Sequence, residues 1–98
     1  MCGICGELRF NNTEITNVRI QDMLESIASR GPDNTGQYKD GNIFLGHKRL
    51  SVIDISSKSN QPMKDKSSII VFNGVIFNYK ELRNFLIKEG YEFNSDGD

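Results

Sequence analysis

The stretch MCGICGELRF (residues 1–10) decides how the chain begins to fold. Four of its apolar residues share one parity, and they are Cys2, Ile4, Leu8 and Phe10. Charged residues Glu7 and Arg9 take the other parity. This period of two predicts a β-strand, which we expect to end at the turn-prone pair Asn11-Asn12.

Helix signals follow this strand. Thr16 or Asn17 can cap a helix, and the apolar face behind the cap consists of Ile20, Met23, Leu24 and Ile27. We expect this helix to end before Gly31-Pro32, because proline disfavours the helical conformation for the residue before it.

Shorter elements are predicted for the rest of the chain. Turns are expected over residues 31–42, with Asp40-Gly41 as a hairpin signal, and a polar loop over 56–67. The expected strands are 43–45, 50–55, 69–72 and one beginning at Tyr91. A second helix is expected from near Asn78 to Gly90, with Gly90 as its stop.

The order β-α-β-β-β-α-β predicts one domain, residues 1–98, of the α+β class. The last residues, SDGD at 95–98, follow a strand that has just begun. We therefore expect the chain to be the N-terminal part of a larger domain.

Composition and charge exclude several classes of function. The chain is 37% hydrophobic and 26% charged, and its formal net charge is −1. Without an excess of positive charge, nucleic-acid binding is not expected. No apolar run approaches the ~20 residues that span a bilayer, and no signal peptide is recognisable, so we expect a cytoplasmic protein without a membrane partner.

Cys2 is the most reactive candidate in the chain. Removal of Met1 would leave Cys2 with a thiol and a free α-amine, whose pKa of about 7.7–8.0 suits a general base. The same residue would then supply nucleophile and base, as in hydrolases with an N-terminal threonine. While Met1 remains, this nitrogen is an amide and cannot accept a proton.

The spacing of Cys2 and Cys5 leaves two other hypotheses open. Structural zinc needs four ligands, and His47 is the only further candidate of the usual type. A redox pair normally opens a helix, whereas this pair lies in a strand pattern. On the simplest interpretation Cys5 is a buried apolar residue and no metal binds in this portion.

Several separated motifs resemble the asparagine synthetase family of class II glutamine amidotransferases. They are MCGICG (1–6), SRGPDNTG (29–36), GHKRLSVIDIS (46–56), NQPM (60–63), FNGVIFNY (72–79) and YEFNSDGD (91–98). Their order and approximate spacing match that family over essentially the whole chain. Arg30–Asp33 and Gln61–Met63 favour it over two relatives that modify a sugar or a sugar phosphate.

The resemblance implies an N-terminal nucleophile hydrolase fold, a four-layer αββα sandwich of which this chain is the first half. It also implies hydrolysis of L-glutamine to glutamate and ammonia. The ammonia would pass to a C-terminal synthetase domain, which uses ATP and Mg²⁺ to amidate aspartate. No cofactor is expected in residues 1–98, and a homodimer is left open as an assembly.

The resemblance also assigns the site residues. Cys2 is the nucleophile, and Asn73 with Gly74 forms the oxyanion hole. Arg49 binds the α-carboxylate of glutamine, and a guanidinium can do so through two parallel hydrogen bonds. Val52 offers backbone contacts beside it, and Asp98 binds the α-ammonium, with Asp96 as the rival assignment.

One departure from the family concerns the residue after Asn73-Gly74. The family usually has a glutamate there, whereas this chain has Val75. A different ammonia acceptor, such as a sugar, therefore stays open, as does a non-catalytic remnant of the fold. We expect the 98-residue chain by itself to have little or no activity, and His47 to be structural.

Overall fold

Strand β1 (Gly3–Leu8) lies in a three-stranded antiparallel sheet, beside the central strand β3 (Ile43–Arg49). Strand β2 (Asn34–Asp40) pairs with the other side of β3. The computed structural model describes residues 2–51 and 56–96. In the register of this sheet, His47 of β3 lies between Ile4 of β1 and Gly36 of β2. The strand predicted at the start of the chain is therefore confirmed.

Helix α1 (Asn17–Ser26) packs on one face of the sheet. The Thr16 side chain accepts a hydrogen bond from the backbone N–H of Arg19 at 3.3 Å, so Thr16 is the N-cap. The buried core lies between helix and sheet and consists of Ile15, Ile20, Leu24 and Phe44. Burying each such side chain stabilises the fold by about 1.5–3 kcal/mol. The predicted apolar face of the helix is confirmed.

The opposite face of the sheet carries exposed apolar side chains. Successive residues of a strand point to opposite faces, so Ile4 and Leu8 point away from α1. They are 46% and 51% exposed. The residues of β1 that face the helix are Gly3 and Cys5, which are small, and Glu7, whose carboxylate pairs with Arg19 of α1. The predicted alternation is therefore present, but the apolar residues Ile4 and Leu8 do not belong to the core between the sheet and α1.

Part of this second face is covered by the segment that follows a 3-10 turn at Ser57–Ser59. The segment crosses strand β2 at Gly36, where a Cβ atom would overlap the carbonyl oxygen of Gln61 and lie 3.1 Å from Pro62 Cδ. The absence of a side chain at Gly36 therefore lets the backbone of Gln61 rest directly on the strand.

The C-terminal part contains a short hairpin and a second helix. Strands β4 (Met63–Lys64) and β5 (Ile69–Ile70) pair antiparallel, and helix α2 (Tyr79–Lys88) follows. Helix α2 ends as predicted, since Gly90 adopts a positive φ of 96°. None of its side chains is buried.

Neither helix in the described ranges has the length and apolarity to cross a bilayer.

The turns predicted over residues 31–42 are only partly present, because residues 34–40 form strand β2. Asparagine, aspartate and glycine are depleted in strands, so the composition of residues 34–40 does not predict a strand. Pairing with the apolar strand β3 supplies the stabilisation that local propensity lacks. The hairpin signal is confirmed, since Gly41 and Asn42 form the two-residue turn between β2 and β3.

Two strand predictions near the C-terminus fare less well. The strand expected at 69–72 is limited to β5, and the strand expected from Tyr91 is wrong for residues 91–96. Arg83 of α2 organises that segment instead, because it lies 4.6 Å from the centre of the Phe93 ring and donates to the Ser95 carbonyl at 2.6 Å. Leu50 and Ser51 lie outside any strand, and the remainder of the expected 50–55 strand lies outside the described residues.

We predict that Gly36→Ala lowers the free energy of unfolding by about 1–3 kcal/mol, because the new methyl group would displace the Gln61 backbone. Urea denaturation would measure the change. Gln37→Ala, at the next and exposed position of β2, is the control and should have a much smaller effect. Equal effects of the two substitutions would contradict this account of Gly36.

Candidate functional site

Cys2 lies one residue before strand β1, and its thiol is held by the chain that leaves strand β3. The Leu50 N–H donates to Cys2 Sγ at 3.3 Å, and the thiol donates to the Leu50 carbonyl at 3.6 Å. Arg30 Nε donates to the Cys2 carbonyl at 3.1 Å. Continuing the β1–β3 ladder by one residue places Cys2 opposite Arg49. Antiparallel pairing thus brings two predicted site residues together.

The other cysteine has a different environment. Cys5 lies on the face of the sheet that packs on α1, beside Gly46 and the apolar core. Burial raises the pKa of the Cys5 thiol, and the nearby Lys48 charge offsets this only in part. A raised pKa reduces the thiolate fraction, and thiolate is the nucleophilic form. Cys5 therefore fits the predicted role of a packing residue.

Arg49 ends strand β3 and is 6% exposed. Its Nη1 donates to the Ser56 carbonyl at 2.6 Å and to Asn60 Oδ1 at 2.7 Å. A guanidinium has five N–H donors, so three have no partner among the described residues, one on Nε and two on Nη2. No carboxylate in residues 2–51 or 56–96 forms an ion pair with Arg49. Because a buried cation is stabilised by an opposite charge, Arg49 is a candidate position for binding an anionic group.

Arg49 faces a polar cleft of about 490 Å³, a size typical of small-molecule sites. The cleft is lined by Asp33, Asn34, Arg49, Ser51, Ser57 and Asn60. Cys2 is not in this lining, but its sulfur contacts Leu50, which lies between the lining residues Arg49 and Ser51. The thiol is therefore adjacent to the cleft through one residue of backbone.

Asp33 forms hydrogen bonds to the backbone of two other residues that line the cleft, Arg49 and Ser51. Its backbone N–H donates to the Arg49 carbonyl at 2.9 Å, and its carboxylate accepts from the Ser51 N–H at 2.7 Å. These two bonds fix the chain on both sides of Leu50, whose backbone contacts the Cys2 sulfur. The Arg30–Asp33 segment thus positions the backbone beside the cleft.

Asn73 and Gly74 follow β5, and Asn73 is half-buried whereas Gly74 is exposed. The residue before them is fixed, because the Phe72 N–H donates to Gln61 Oε1 at 2.5 Å. Within the described residues no hydrogen bond joins Asn73 to Cys2. The predicted oxyanion-hole pair is therefore linked to the rest of the site through Gln61 and not through the cysteine.

Two predicted substrate-binding residues, Val52 and Asp98, lie outside the described residues. The rival for Asp98, Asp96, is exposed and lies 3.7 Å from Arg83 Nη2, measured from its Oδ1 atom. Asp96 therefore has a cationic partner on helix α2 already.

The whole chain matches a known family. A family model described as the glutamine amidotransferase domain covers residues 1–98. The chain belongs to the glutamine amidotransferase domain family. This establishes the family that the motifs resembled, and it makes the cleft beside Cys2 and Arg49 the candidate glutamine site.

Individual relatives of this amidotransferase domain carry the name asparagine synthetase (glutamine-hydrolyzing). The chain is 39% identical over 105 residues to asparagine synthetase 1 of Bacillus subtilis strain 168, and the match covers 100% of the chain and 16% of the relative. It is 37% identical over 101 residues to asparagine synthetase 1 of Lotus japonicus, and that match covers 100% of the chain and 17% of the relative. It is 36% identical over 99 residues to asparagine synthetase 1 of Arabidopsis thaliana, where the match covers 98% of the chain and 17% of the relative. The chain thus spans about a sixth of these relatives' length.

Some lining residues of this amidotransferase domain were not predicted as site residues. Ser51, Ser57 and Asn60 gave no signal of their own, because polar residues in loops are ordinarily solvated. Asn60 lies in the quoted NQPM motif, which served only to distinguish families. Its position against Arg49 could not be inferred from spacing along the chain.

His47 is fully buried on the same strand of the amidotransferase domain, two residues before Arg49. Neither ring nitrogen has a hydrogen-bond partner within the described residues. Burial lowers the pKa of His47, the approach of the Phe72 backbone opposes this, and the Arg49 charge lowers it further. A fully buried imidazole with a lowered pKa agrees with the structural role expected for it.

We predict that His47 makes the stability of the fold depend on pH. The unfolded chain takes up this proton near pH 6.5, whereas the folded chain takes it up only at lower pH. Stability should therefore fall as pH drops below about 6.5, with a slope of at most about 1.4 kcal/mol per pH unit. Urea denaturation between pH 5 and 7.5 would measure it.

The control for this prediction is His47→Gln, which removes the only histidine of the chain. This variant will be less stable at every pH but should lack the slope. A slope equal to that of the unsubstituted chain would assign the proton uptake to another group.

Proposed function

We propose that this domain hydrolyses glutamine to glutamate and ammonia, with Cys2 as the nucleophile after removal of Met1. The observation that carries the proposal is the buried guanidinium of Arg49, which forms no ion pair within the described residues and precedes Leu50, whose N–H donates to the Cys2 thiol. A glutamine molecule has one carboxylate to pair with this cation and one amide to present to the sulfur. The family and the names of the relatives support the same chemistry.

Catalysis would begin with transfer of the thiol proton to the α-amine of Cys2. The sulfur then attacks the side-chain carbonyl carbon of glutamine, and the tetrahedral intermediate carries a negative oxygen. Collapse of the intermediate breaks the C–N bond, the α-ammonium returns its proton to the leaving nitrogen, and ammonia departs. Water hydrolyses the remaining thioester to glutamate and regenerates the thiol.

The negative oxygen of the intermediate requires donors that are already in place. We assign this role to the Asn73 side-chain amide and the Gly74 backbone N–H, since two such donors can converge on one oxygen. Removing one donor of an oxyanion hole typically costs about 10²–10³ in rate. Arg49 and the backbone at Val52 would hold the substrate's α-carboxylate end, and Asp98 its α-ammonium group.

The larger assembly is part of the same proposal. Residues 1–98 would be the first half of a four-layer αββα domain, in which a second sheet would cover the exposed side chains of Ile4 and Leu8. Ammonia would pass to a following synthetase domain that holds ATP and Mg²⁺ and amidates aspartate. We propose that the 98 residues alone are weakly active or inactive.

A second candidate function is an amidotransferase with another ammonia acceptor, such as a sugar. The observation in its favour is Val75, which replaces the glutamate usual after Asn-Gly in the asparagine synthetases. Val75 is 59% exposed in the described part of the chain, so nothing in the core requires an apolar residue there. The names of the relatives favour aspartate as the acceptor.

We predict that Cys2→Ala abolishes glutamine-dependent ammonia release in the full-length protein but leaves ammonia-dependent asparagine synthesis intact. Mass spectrometry after incubation with 6-diazo-5-oxo-norleucine should find Met1 absent and one adduct on Cys2. Cys5→Ala is the matched control and should keep both glutamine turnover and the adduct. Glutamine turnover that survives Cys2→Ala would require another nucleophile.

We predict that Arg49→Lys raises KM for glutamine about tenfold or more, because an ammonium cannot form two parallel bonds to a carboxylate. Steady-state measurement of glutamate release would show the change. Ammonia-dependent synthesis serves as the folding control, since it does not use the glutamine site. An unchanged KM would mean that the carboxylate binds elsewhere.

A further inference from the structure

Two adjacent residues, Asn60 and Gln61, reach the two separate halves of the candidate glutamine site. The proposed reaction assigns neither side chain a chemical role. Asn60 contacts the substrate-binding cation Arg49, and Gln61 contacts the backbone immediately before Asn73-Gly74. The described contacts therefore connect the two halves through one dipeptide.

The contact of Asn60 determines which donors of Arg49 stay available. Asn60 Oδ1 accepts from Nη1 at 2.7 Å, and the Ser56 carbonyl accepts from the same nitrogen at 2.6 Å. These two bonds use both hydrogens of Nη1. The Nε and Nη2 hydrogens keep the parallel geometry that a carboxylate accepts. Asn60 thus orients the guanidinium without occupying the edge that would bind substrate.

The contact of Gln61 fixes the start of the other half. Its side-chain oxygen accepts from the Phe72 N–H at 2.5 Å, one residue before Asn73. The Gln61 backbone is itself immobilised, since its carbonyl lies against Gly36 of β2. The Phe72 backbone also approaches the buried His47 ring on β3 without a hydrogen bond to it. The bond to Gln61 therefore ties the Phe72 backbone to the segment that lies on the sheet.

We propose that Asn60 and Gln61 are positioning residues, Asn60 for the carboxylate-binding Arg49 and Gln61 for the Asn73-Gly74 oxyanion hole. This inference rests on the proposed glutaminase function. Asn60 would affect the binding of the substrate carboxylate, whereas Gln61 would affect the stabilisation of the oxyanion. The carboxylate is held equally in substrate and transition state, whereas the oxyanion exists only in the transition state and the intermediate.

This difference gives each residue its own kinetic signature. Loss of uniform binding raises KM with little change in kcat, and loss of transition-state stabilisation lowers kcat with little change in KM. Damage to the fold alone would not raise only KM when Asn60 is substituted and lower only kcat when Gln61 is substituted.

For Gln61 the test compares two substitutions in the full-length protein, with glutamate release as the readout. Gln61→Leu keeps the size but cannot accept from the Phe72 N–H, so kcat should fall about tenfold to a hundredfold with KM nearly constant. Gln61→Glu keeps an acceptor oxygen and should restore most of kcat. Gln21→Leu, on the exposed surface of α1, is the matched control and should change neither constant.

For Asn60 the test is Asn60→Ala, which should raise KM for glutamine about tenfold and leave kcat nearly unchanged. Asn84→Ala, on the exposed surface of α2, is its control. Ammonia-dependent synthesis monitors folding of every variant. If Gln61→Leu loses that activity, Gln61→Met takes its place, because methionine is also unable to offer a carbonyl acceptor.

The outcomes separate this inference from the proposed function. Hydrolysis that depends on Cys2 but shows equal changes in kcat and KM for both positions would overturn the positioning roles alone. Failure of Gln61→Glu to improve on Gln61→Leu would overturn the role of Gln61. A full-length protein that folds, loses Met1 and yet does not hydrolyse glutamine would overturn both proposals together.

Discussion

The buried charge of Arg49 is the constraint on which the candidate site depends. A guanidinium removed from water must be compensated by hydrogen bonds and an opposite charge. The described residues provide the hydrogen bonds, from the Ser56 carbonyl and Asn60, but no carboxylate. Under the proposed function, a glutamine α-carboxylate would bring the opposite charge. Arg49 would then both require an anion for its own stabilisation and select for a ligand that carries one.

Because side chains alternate along each strand, the two faces of the sheet carry different residues and make different contacts. The face with Phe44 and Gly46 packs on α1 and provides the apolar core. The face with His47 and Arg49 carries these two buried polar side chains together with the exposed Ile4 and Leu8, and it contacts Gln61 at Gly36. His47 is fully buried on this face, and burial lowers the pKa of its imidazole. Strand β3 thus contributes Phe44 to the core on one face and Arg49 to the candidate site on the other.

The sequence predicted those parts of the fold that depend on local pattern. Strand β1, helix α1 with its Thr16 cap and the stop of α2 at Gly90 follow from periodicity and capping, and all three are present. Strand β2 was missed because its stability comes from pairing with β3, which local propensity does not contain. The residues around Arg49 were missed for a similar reason. Asn60 contacts Arg49 from eleven positions away, and only the three-dimensional path of the chain brings them together.

The register of β1 explains why Cys2, the proposed nucleophile, lies on the same face as Arg49. A slip of one residue would move every side chain of β1 to the opposite face and turn Cys2 towards α1. Side-chain size opposes this slip. A Cβ atom at Gly3 would lie 3.1 Å from Ile27 Cβ, so Ile4 could not take that place without displacing the end of α1. The small residues Gly3 and Cys5 therefore select the helix face, and by selecting it they leave Cys2 on the face of Arg49. The alternation that first identified the strand cannot by itself say which parity meets the helix, because that choice depends on the space between helix and sheet.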